Sequence, residues 1–593
     1  MSAGEHEQER SVAAERLLTP QALLCLFLLV LCLLAVWPVA EVGITDDWSY
    51  IRTAQLFAHT GHFIYNGWAT AILGWQVVWG ALFAYLFGPT FTAIRLSMIP
   101  IDLGTALLYR AVLRRFGLNS SHATFGTLTL VLSPLFLPLA STFMSDVPGI
   151  FAIVLCLYLC QLALAAPSDR AAWGWLIAAA LSNIVLGSVR QTAWLGVLVL
   201  VPSCGWLLRR RLVIPLTIVL WLAGLICIHL TLSWFLSHPY SVPEKIVIGP
   251  LDLLALERVL HQSFRVALTT GLLCLPVLAT GLAALFPLRR STALRGGAFV
   301  LLFAALVAIL KHRGKANLLS PPWLGGTMNY DGLHKIFEFI SPRANPAAGM
   351  VFFVFCFALC IWAFVESLLR RHIQPVALRT DIHWRAVSVL LLPFLLSYCL
   401  LLTPRSAFVD TFEHQVWDRY LLPIAAVLLV YLLAWHQERV SPRIPRIATF
   451  VLILFAWTGV ATTHDLFAME RARVRLLQEV QRSGVSRTSI RGGFPFDAIT
   501  QIDTWGYVNE PALINPPHAF HPVAVDSGPC AYFFGHFVPA LHPRYAITDA
   551  PTSCLYPSPF PPIGYRTWFP PARRELYVGT ILPRGEALPS AVN

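Results

Sequence analysis

Two adjacent carboxylates, Asp46 and Asp47, open a polar stretch that follows a long apolar run. Either side chain can accept a proton from a hydroxyl or an amine, and two close carboxylates raise the pKa of one of them. The pair therefore suits general-base chemistry. The structural alternative is that Thr45 or Asp46 caps the amphipathic helix predicted from Trp48 to His59. Capping needs one such residue, so we favour chemistry for the pair.

A third carboxylate, Asp146, lies between two further apolar runs, in the segment Met-Ser-Asp-Val-Pro. It too is a candidate helix cap, because Pro148 is tolerated in a first helical turn. If the flanking runs cross a membrane, however, Asp146 returns to the same face as Asp46 and Asp47. Carboxylates at a membrane edge are costly and often functional. We therefore predict that all three contribute to one catalytic site.

Several cations near the ends of apolar runs could hold a phosphate, since Arg offers paired hydrogen bonds and Lys a point charge. The ordinary alternatives are that Arg190 extends to lipid headgroups and that Arg419 pairs locally with Asp418 or Glu413. The candidate phosphate ligands are Arg190, Lys311, Arg313, Arg405 and Arg419.

Metal binding has weaker support in the sequence. His59 and His62 are three residues apart, and His518 and His521 repeat that spacing. Neither pair has a defined third ligand, as a zinc site would need. We expect no metal cofactor, with a divalent cation as the alternative.

The elements that position these residues are membrane spans. The chain has 593 residues, of which 56% are hydrophobic and 12% charged, whereas soluble proteins carry about 25% charged residues. Runs of about 20 apolar residues can cross a bilayer, and we predict about thirteen such spans. They lie near 21–40, 91–112, 121–141, 147–166, 172–189, 191–208, 212–236, 266–287, 296–310, 348–369, 386–403, 421–436 and 447–463.

The basic residues orient these spans. Arginine clusters recur between alternate spans, and an excess of Lys and Arg marks cytoplasmic loops. The formal charge of +12 is then largely a topology signal, and a nucleic-acid partner is not needed to explain it. The clusters are Arg110 with Arg114 and Arg115, Arg209–Arg211, Arg289–Arg290, Arg370–Arg371, and Arg439 with Arg443 and Arg446.

This orientation predicts a cytoplasmic N-terminal tail (1–20), a membrane domain (21–463) with a large first outer loop (41–90), and an extracytoplasmic domain (464–593). Residues 72–88 are apolar enough to cross, but a crossing would place Arg114 and Arg115 outside. We interpret 72–88 as an interfacial or partly inserted helix.

The last 130 or so residues are rich in Pro, His and aromatic residues, with a helix predicted near 466–482 and a strand near 574–582. The predicted fold is therefore an all-α polytopic membrane protein with a small C-terminal mixed α/β domain. Most cysteines lie in or beside apolar runs, whereas Cys530 and Cys554 share the C-terminal domain and can form a disulfide in an oxidising compartment.

Three motifs together resemble the GT-C superfamily of polytopic glycosyltransferases, in the branch of protein O-mannosyltransferases and lipid A aminoarabinose transferases. The motifs are the acidic pair Asp46–Asp47 after the first span, Asp146 before a proline, and the run Arg419–Pro423 at the start of a late span. Leu86–Gly88 and Arg95–Leu96 also match the family pattern. The resemblance covers roughly residues 20–440.

The resemblance implies transfer of a sugar from a polyprenyl-phosphate donor to an acceptor outside the cytoplasm. One carboxylate of the Asp46–Asp47 pair would be the general base, with Asp46 the better match, because relatives often have Glu at the second position. Asp146 would support the acceptor or the base, and the cations would stabilise the departing phosphate. The acceptor, whether lipid, glycan or protein, stays open.

Two other functions remain as alternatives. A transporter or flippase of lipid-linked or anionic solutes would also be polytopic, although such proteins usually show internal repeats and ionisable residues near the midplane. A non-catalytic assembly protein is the other. For all three we predict a multi-pass cell-membrane protein that contacts membrane lipids, with its C-terminal domain extracytoplasmic (periplasmic in a Gram-negative cell).

Overall fold

A computed structural model describes residues 17–68, 70–211, 213–242, 252–285, 289–312, 327, 346–369, 382–407, 416–508, 532, 534–550, 552 and 554–581. Helices dominate this part of the chain. They are α1 (Pro20–Val36), α2 (Asp47–Thr60), α3 (Gly74–Phe87), α4 (Phe91–Leu96), α5 (Ile99–Arg115), α6 (Ser120–Val131), α7 (Phe136–Ala140), α8 (Asp146–Leu164), α9 (Asp169–Leu186), α10 (Val201–Leu207), α11 (Ile214–Leu236), α12 (Leu253–Leu273), α13 (Leu275–Leu278), α14 (Thr280–Ala284), α15 (Arg290–His312), α16 (Pro346–Leu369), α17 (Trp384–Ala407), α18 (Leu422–Arg439), α19 (Arg446–Arg482) and α20 (Phe494–Trp505).

Within the described residues, eight helical segments are long and apolar enough to cross a membrane, and one helix pair, bent by 72° at residue 274, would make a ninth. The chain is thus a multi-pass membrane protein with a helical core, as predicted. The eight are Phe91–Arg115, Asp146–Leu164, Asp169–Val189, Ile214–Leu236, Arg290–Ile309, Trp384–Thr403, Asp418–Arg439 and Arg446–Arg482.

The predicted count of about thirteen spans is not confirmed, because several apolar runs form shorter or broken helices. The run 121–141 divides into α6 and α7, and 191–208 begins with 3-10 and π turns before α10. Helix α1 has 17 residues. Hydropathy reports that a run is apolar, whereas these interruptions depend on local backbone geometry.

Helix α3 covers the ambiguous run 72–88 and has 14 residues, or about 21 Å, which is short for a hydrocarbon core of about 30 Å. Gln76 Nε2 donates to the carbonyl oxygens of Phe143 and Met144, at 3.2 and 3.3 Å. Trp75 Nε1 donates to the carbonyl of Leu186 at 2.8 Å. These bonds hold α3 beside the start of α8 and the end of α9. The interpretation of 72–88 as an interfacial or partly inserted helix stays a prediction.

The last predicted span and the helix predicted near 466–482 are one continuous helix, α19, of 37 residues. No proline or glycine interrupts it between Gly459 and Arg482, so the helix continues without a break. It leads into a small sheet whose strands are β1 (Ile490–Arg491), β2 (Tyr545–Thr548), β3 (Leu555–Pro557), β4 (Ile563–Trp568) and β5 (Pro571–Ile581).

The sheet has the order β1-β2-β5-β3, and β4 pairs separately with β5. Strands β1 and β2 run parallel, and the pairs that involve β5 are antiparallel. The predicted strand near 574–582 is thus part of β5, and the mixed α/β character of the C-terminal region is confirmed. Its division from the membrane domain at residue 463 stays a prediction.

Among the described residues ten cysteines are free thiols, of which nine lie in helices and the tenth, Cys274, lies at the bend between α12 and α13. Cys554 is disulfide-bonded. The predicted partner, Cys530, lies outside the described residues.

The turn between β1 and α20 is held by a buried carboxylate, Asp497. Its Oδ1 accepts the backbone N–H of Gly492 at 2.8 Å, and its Oδ2 accepts the hydroxyl of Tyr532 at 2.6 Å. Burial raises the pKa of Asp497 to about 7, although these two bonds and the charges of Arg491 and Arg473 lower it. Asp497 therefore titrates near neutral pH.

We predict that Asp497 makes stability depend on pH. An unfolded Asp titrates at about 3.9, so between about pH 4 and 7 only the folded state keeps the proton. The contribution of Asp497 to the free energy of unfolding is present below about pH 4 and is lost as the pH rises towards 7. In Asp497→Asn, the fall in apparent melting temperature between about pH 5 and 7.5 should shrink. The exposed Asp503→Asn is the control, and an unchanged fall in Asp497→Asn would contradict the prediction.

Candidate active site

The two carboxylates of the acidic pair have different surroundings, and that of Asp47 is closed. Asp47 is fully buried. Its Oδ2 accepts Arg95 Nε at 2.7 Å, and its Oδ1 accepts Arg95 Nη2 at 3.1 Å and the N–H of Ile44 at 2.7 Å. Arg95 also donates to the carbonyls of Ala40 and Val42, at 2.7 and 2.6 Å. Asp47 and Arg95 together fix the segment that leads from α1 to α2.

Asp46 is the open member of the pair, with a side chain 24% exposed. Its Oδ1 accepts Trp68 Nε1 at 3.0 Å, and its Oδ2 accepts Arg419 Nη1 at 2.8 Å. Asp46 occupies the N-cap position of α2, but its side chain accepts no hydrogen bond from that helix. The capping alternative is therefore not supported, and the carboxylate points towards Trp68 and Arg419.

Asp146 starts α8, with Ser145 rather than Asp146 in the N-cap position. Its Oδ1 is ion-paired with Arg190 Nη1, and its buried Oδ2 has no hydrogen-bond partner among the described residues. Arg190 lies in the break between α9 and α10, in an extended conformation. Its side chain is 16% exposed, so it is engaged within the protein rather than extended to headgroups.

Arg419 and Arg190 meet at one aromatic ring. The ring centroid of Tyr420 is 4.7 Å from Cζ of Arg190 and 5.6 Å from Cζ of Arg419, both within cation–π range. Arg419 and Tyr420 belong to the 3-10 turn Asp418–Leu421 that precedes α18, and Pro423 in the first turn of α18 fixes where that helix begins.

The phenol of Tyr50 lies close enough to four charged side chains for each of them to influence its pKa. Burial raises the pKa of its phenol, Asp46 and Asp146 raise it further, and Arg419 and Arg190 lower it. The structure therefore brings two carboxylates and two guanidinium groups around Tyr50. The sequence reasoning missed Tyr50, although its spacing of four residues from Asp46 places both on one face of α2.

Other predicted residues are not part of this group as described. Only the backbone is described for Lys311 and Arg405, and Arg313 and Glu413 lie outside the described residues. The carboxylate of Asp418 accepts the N–H of Thr327, at 2.9 and 3.0 Å from its two oxygens. Among the described residues Arg419 therefore pairs with Asp46, from a distant part of the chain, rather than with its neighbour Asp418.

For metal binding, no group of three or more His, Cys, Asp or Glu side chains comes together among the residues the structure describes. His59 and His62 are described, whereas His518 and His521 are not. The absence of a metal cofactor stays a prediction.

No protein-family model matches this chain, and no curated protein matches it by sequence. Solved structures do match it. The aminoarabinose transferase ArnT from Cupriavidus metallidurans, bound to undecaprenyl phosphate, is 15% identical over 93% of this chain and 97% of its own, with a TM-score of 0.37. The oligosaccharyltransferase AglB from Archaeoglobus fulgidus, with an inhibitory peptide and a dolichol-phosphate, is 12% identical over 89% and 69%, with a TM-score of 0.36.

The protein O-mannosyltransferase Pmt1–Pmt2 complex of S. cerevisiae, bound to its sugar donor, is also similar. That match is 15% identical, covers 40% of this chain and 36% of the yeast chain, and has a TM-score of 0.32. An aminoarabinose transferase and a protein O-mannosyltransferase, the two kinds of enzyme that the sequence motifs resemble, are thus both among the matched structures. Overlays at these TM-scores describe a similarity and do not assign a function.

We predict that the Asp146–Arg190 pair is energetically coupled. Arg190→Gln leaves a buried carboxylate without its counter-charge and should lower the free energy of unfolding by about 3 kcal/mol. Asp146→Asn with Arg190→Gln should recover most of that loss. A double-mutant cycle by denaturation in detergent measures the coupling. Additive effects of the two substitutions would contradict it.

Proposed function

We propose that this chain is a membrane glycosyltransferase that moves a sugar from a polyprenyl-phosphate donor to an acceptor at the extracytoplasmic surface. The observation that carries the proposal is the convergence of Asp46 and Asp146 with Arg190 and Arg419 around Tyr50. A transfer of this kind needs a base for the acceptor and positive charge for the departing phosphate, and this group contains both.

Asp46 is our choice for the general base. It is the most accessible of the three predicted carboxylates, whereas Asp47 is enclosed by Arg95 and Asp146 by Arg190. Trp68 orients the Asp46 carboxylate through Oδ1, which leaves Oδ2 facing Arg419. In the proposed reaction Asp46 takes the proton of an acceptor hydroxyl or amine. The oxygen or nitrogen of that acceptor group attacks the anomeric carbon of the sugar, and the bond from this carbon to the donor phosphate breaks, so that polyprenyl phosphate departs.

Arg419 and Arg190 are our choice for the donor phosphate, because guanidinium groups bind phosphate through paired hydrogen bonds. Both are engaged with carboxylates in the structure. A donor phosphate would compete with Asp46 for Arg419. Loss of that ion pair would free the Asp46 carboxylate for the acceptor as the donor arrives, so donor binding and release of the base would be coupled. Lys311, Arg313 and Arg405 stay additional candidates.

The predicted topology completes the proposal. With a cytoplasmic N-terminus, the acidic pair, Asp146 and the C-terminal sheet all lie on the outer side, where a lipid-linked donor would be presented. Trp68 is packed between Trp48 and Phe494, with ring centroids 5.6 and 4.8 Å away, so α20 of the C-terminal region adjoins the base. We infer that this region helps to select the acceptor.

Replacing the base tests the proposal. Asp46→Asn should reduce transfer from a polyprenyl-phosphate sugar by about 100-fold or more, the range expected for general-base catalysis. Binding of polyprenyl phosphate should persist, which also separates an enzyme from a transporter. Asp503→Asn, another exposed carboxylate paired with arginines, is the matched control. Full activity in Asp46→Asn would show that Asp46 is not the base.

Orientation of the base can be tested separately. Trp68→Phe keeps an aromatic ring against Trp48 and Phe494 but removes the hydrogen bond to Asp46. We expect transfer to fall by about tenfold while stability changes by about 1 kcal/mol or less. Trp505→Phe, at an exposed tryptophan, is the control. Equal activity of the two variants would remove the proposed role of Trp68.

A further inference from the structure

A groove runs along α19 where this helix passes the end of α1 and packs against β4. Its volume is about 690 Å³, and we call it the α19 groove. One side of α19 faces it, through residues at helical spacing: His464, Ala468, Arg471 and Arg475. Arg566 of β4 lines the opposite side, and Ala468 and Val474 contribute apolar surface. The groove is separate from the group around Tyr50.

The three arginines of this groove have no carboxylate partner among the described residues. Arg471 Nη1 donates to the carbonyl of Trp37 at 2.8 Å, and Arg475 Nη2 reaches the carbonyl of Gly564 at 3.5 Å. Arg566 forms no hydrogen bond or ion pair within the described part of the chain. Three arginines with unused hydrogen-bond donors therefore border a groove whose wall is largely apolar.

Nearby carboxylates are engaged elsewhere. Both oxygens of Glu41 accept backbone N–H groups at the start of α4, from Phe91 at 2.9 Å and Thr92 at 3.2 Å. Asp465 accepts the N–H groups of Trp568 and Phe569, at 2.6 and 2.9 Å. Neither forms an ion pair with the groove arginines, so the groove keeps a positive charge.

The pairing of β4 with β5 places a further arginine next to Arg566. Arg566 lies directly opposite Arg573 in the antiparallel register, and like charges directly opposite one another are destabilising. Both side chains are exposed. Arg573 lines a neighbouring cavity together with Asp549 and Glu575, whereas Arg566 borders both that cavity and the α19 groove.

Exposed tryptophans near the groove indicate its position relative to the membrane–water interface. Trp37, which ends α1, is 56% exposed, and Trp457 of α19 is 48% exposed. Trp457 stacks on Trp568 of β4, with ring centroids 5.8 Å apart. Tryptophan is enriched at membrane–water interfaces. Because Arg471 donates to Trp37, its guanidinium lies near the level at which α1 reaches the interface.

We propose that the α19 groove binds the phosphate headgroup of an anionic membrane lipid. Arg471, Arg475 and Arg566 would hold the phosphate, and the apolar surface of Ala468 and Val474 would contact the carbons next to it. Such a lipid would join the end of α1, α19 and the β4–β5 hairpin at the membrane surface. This site is independent of the proposed transfer reaction.

Lipid binding to the detergent-purified full chain tests the site. Native mass spectrometry measures adducts of phosphatidic acid, with phosphatidylcholine as the neutral-headgroup comparison. The double variant Arg475→Gln, Arg566→Gln removes two groove charges and leaves Arg471, which holds Trp37, in place. We expect its affinity for phosphatidic acid to fall by about tenfold or more, because charge-assisted hydrogen bonds to phosphate are lost.

The matched control is Arg482→Gln with Arg544→Gln, which removes the same charge from the same region outside the groove; its affinity should stay within about twofold. Equal loss in the two double variants would overturn the proposal, as would equal binding of phosphatidylcholine to the unmodified protein. Displacement of phosphatidic acid by equimolar inorganic phosphate would also overturn it, because the apolar surface would then contribute nothing. Binding is measured without sugar transfer, so each proposal can fail alone.

Discussion

The buried ion pair between Asp47 and Arg95 is the interaction on which the site depends. Both side chains are almost completely removed from solvent, and a buried charge is tolerated only when its partner and hydrogen bonds are well placed. Asp47 receives bonds from Arg95 and Ile44, and Arg95 is held in turn by the carbonyls of Ala40 and Val42. This network fixes the start of α2. With α2 fixed, the neighbouring carboxylate of Asp46 turns towards Arg419.

The two residues of the acidic pair therefore differ in their surroundings and in their contacts. Asp47 orders the backbone, and Asp46 stays accessible beside Trp68 and Arg419. The same division recurs among the cations, where Arg95 is structural and Arg190 and Arg419 face the group around Tyr50. A buried carboxylate next to an accessible one accounts for two carboxylates in succession, since one acid could not both fill the buried ion pair and remain accessible.

The helical membrane fold was predictable from the sequence, because apolar runs report directly on helices long enough to cross a membrane. The orientation that the arginine clusters indicate stays a prediction. The three motifs also pointed to residues that the structure brings together, namely Asp46, Asp146 and Arg419. Their partners were not predictable. Arg419 pairs with a residue 373 positions away rather than with its neighbour Asp418, and no motif or spacing distinguishes Trp68 from the other tryptophans.

The breaks and joins of the helices were also not predictable from the sequence. The run 121–141 is apolar throughout yet forms two helices, and the join between the predicted segments 447–463 and 466–482 is helical. Hydropathy is insensitive to both, because it averages over composition and does not register a local turn. Lys311, Arg313 and Arg405 remain predictions from the sequence for the donor phosphate.

A structure of the full chain with polyprenyl phosphate bound would test the central claim most directly. We expect the phosphate within hydrogen-bonding distance of Arg190 or Arg419, with the Asp46 carboxylate released from Arg419 and open to an acceptor. A phosphate bound away from both arginines, with the Asp46–Arg419 ion pair intact, would contradict the proposed site.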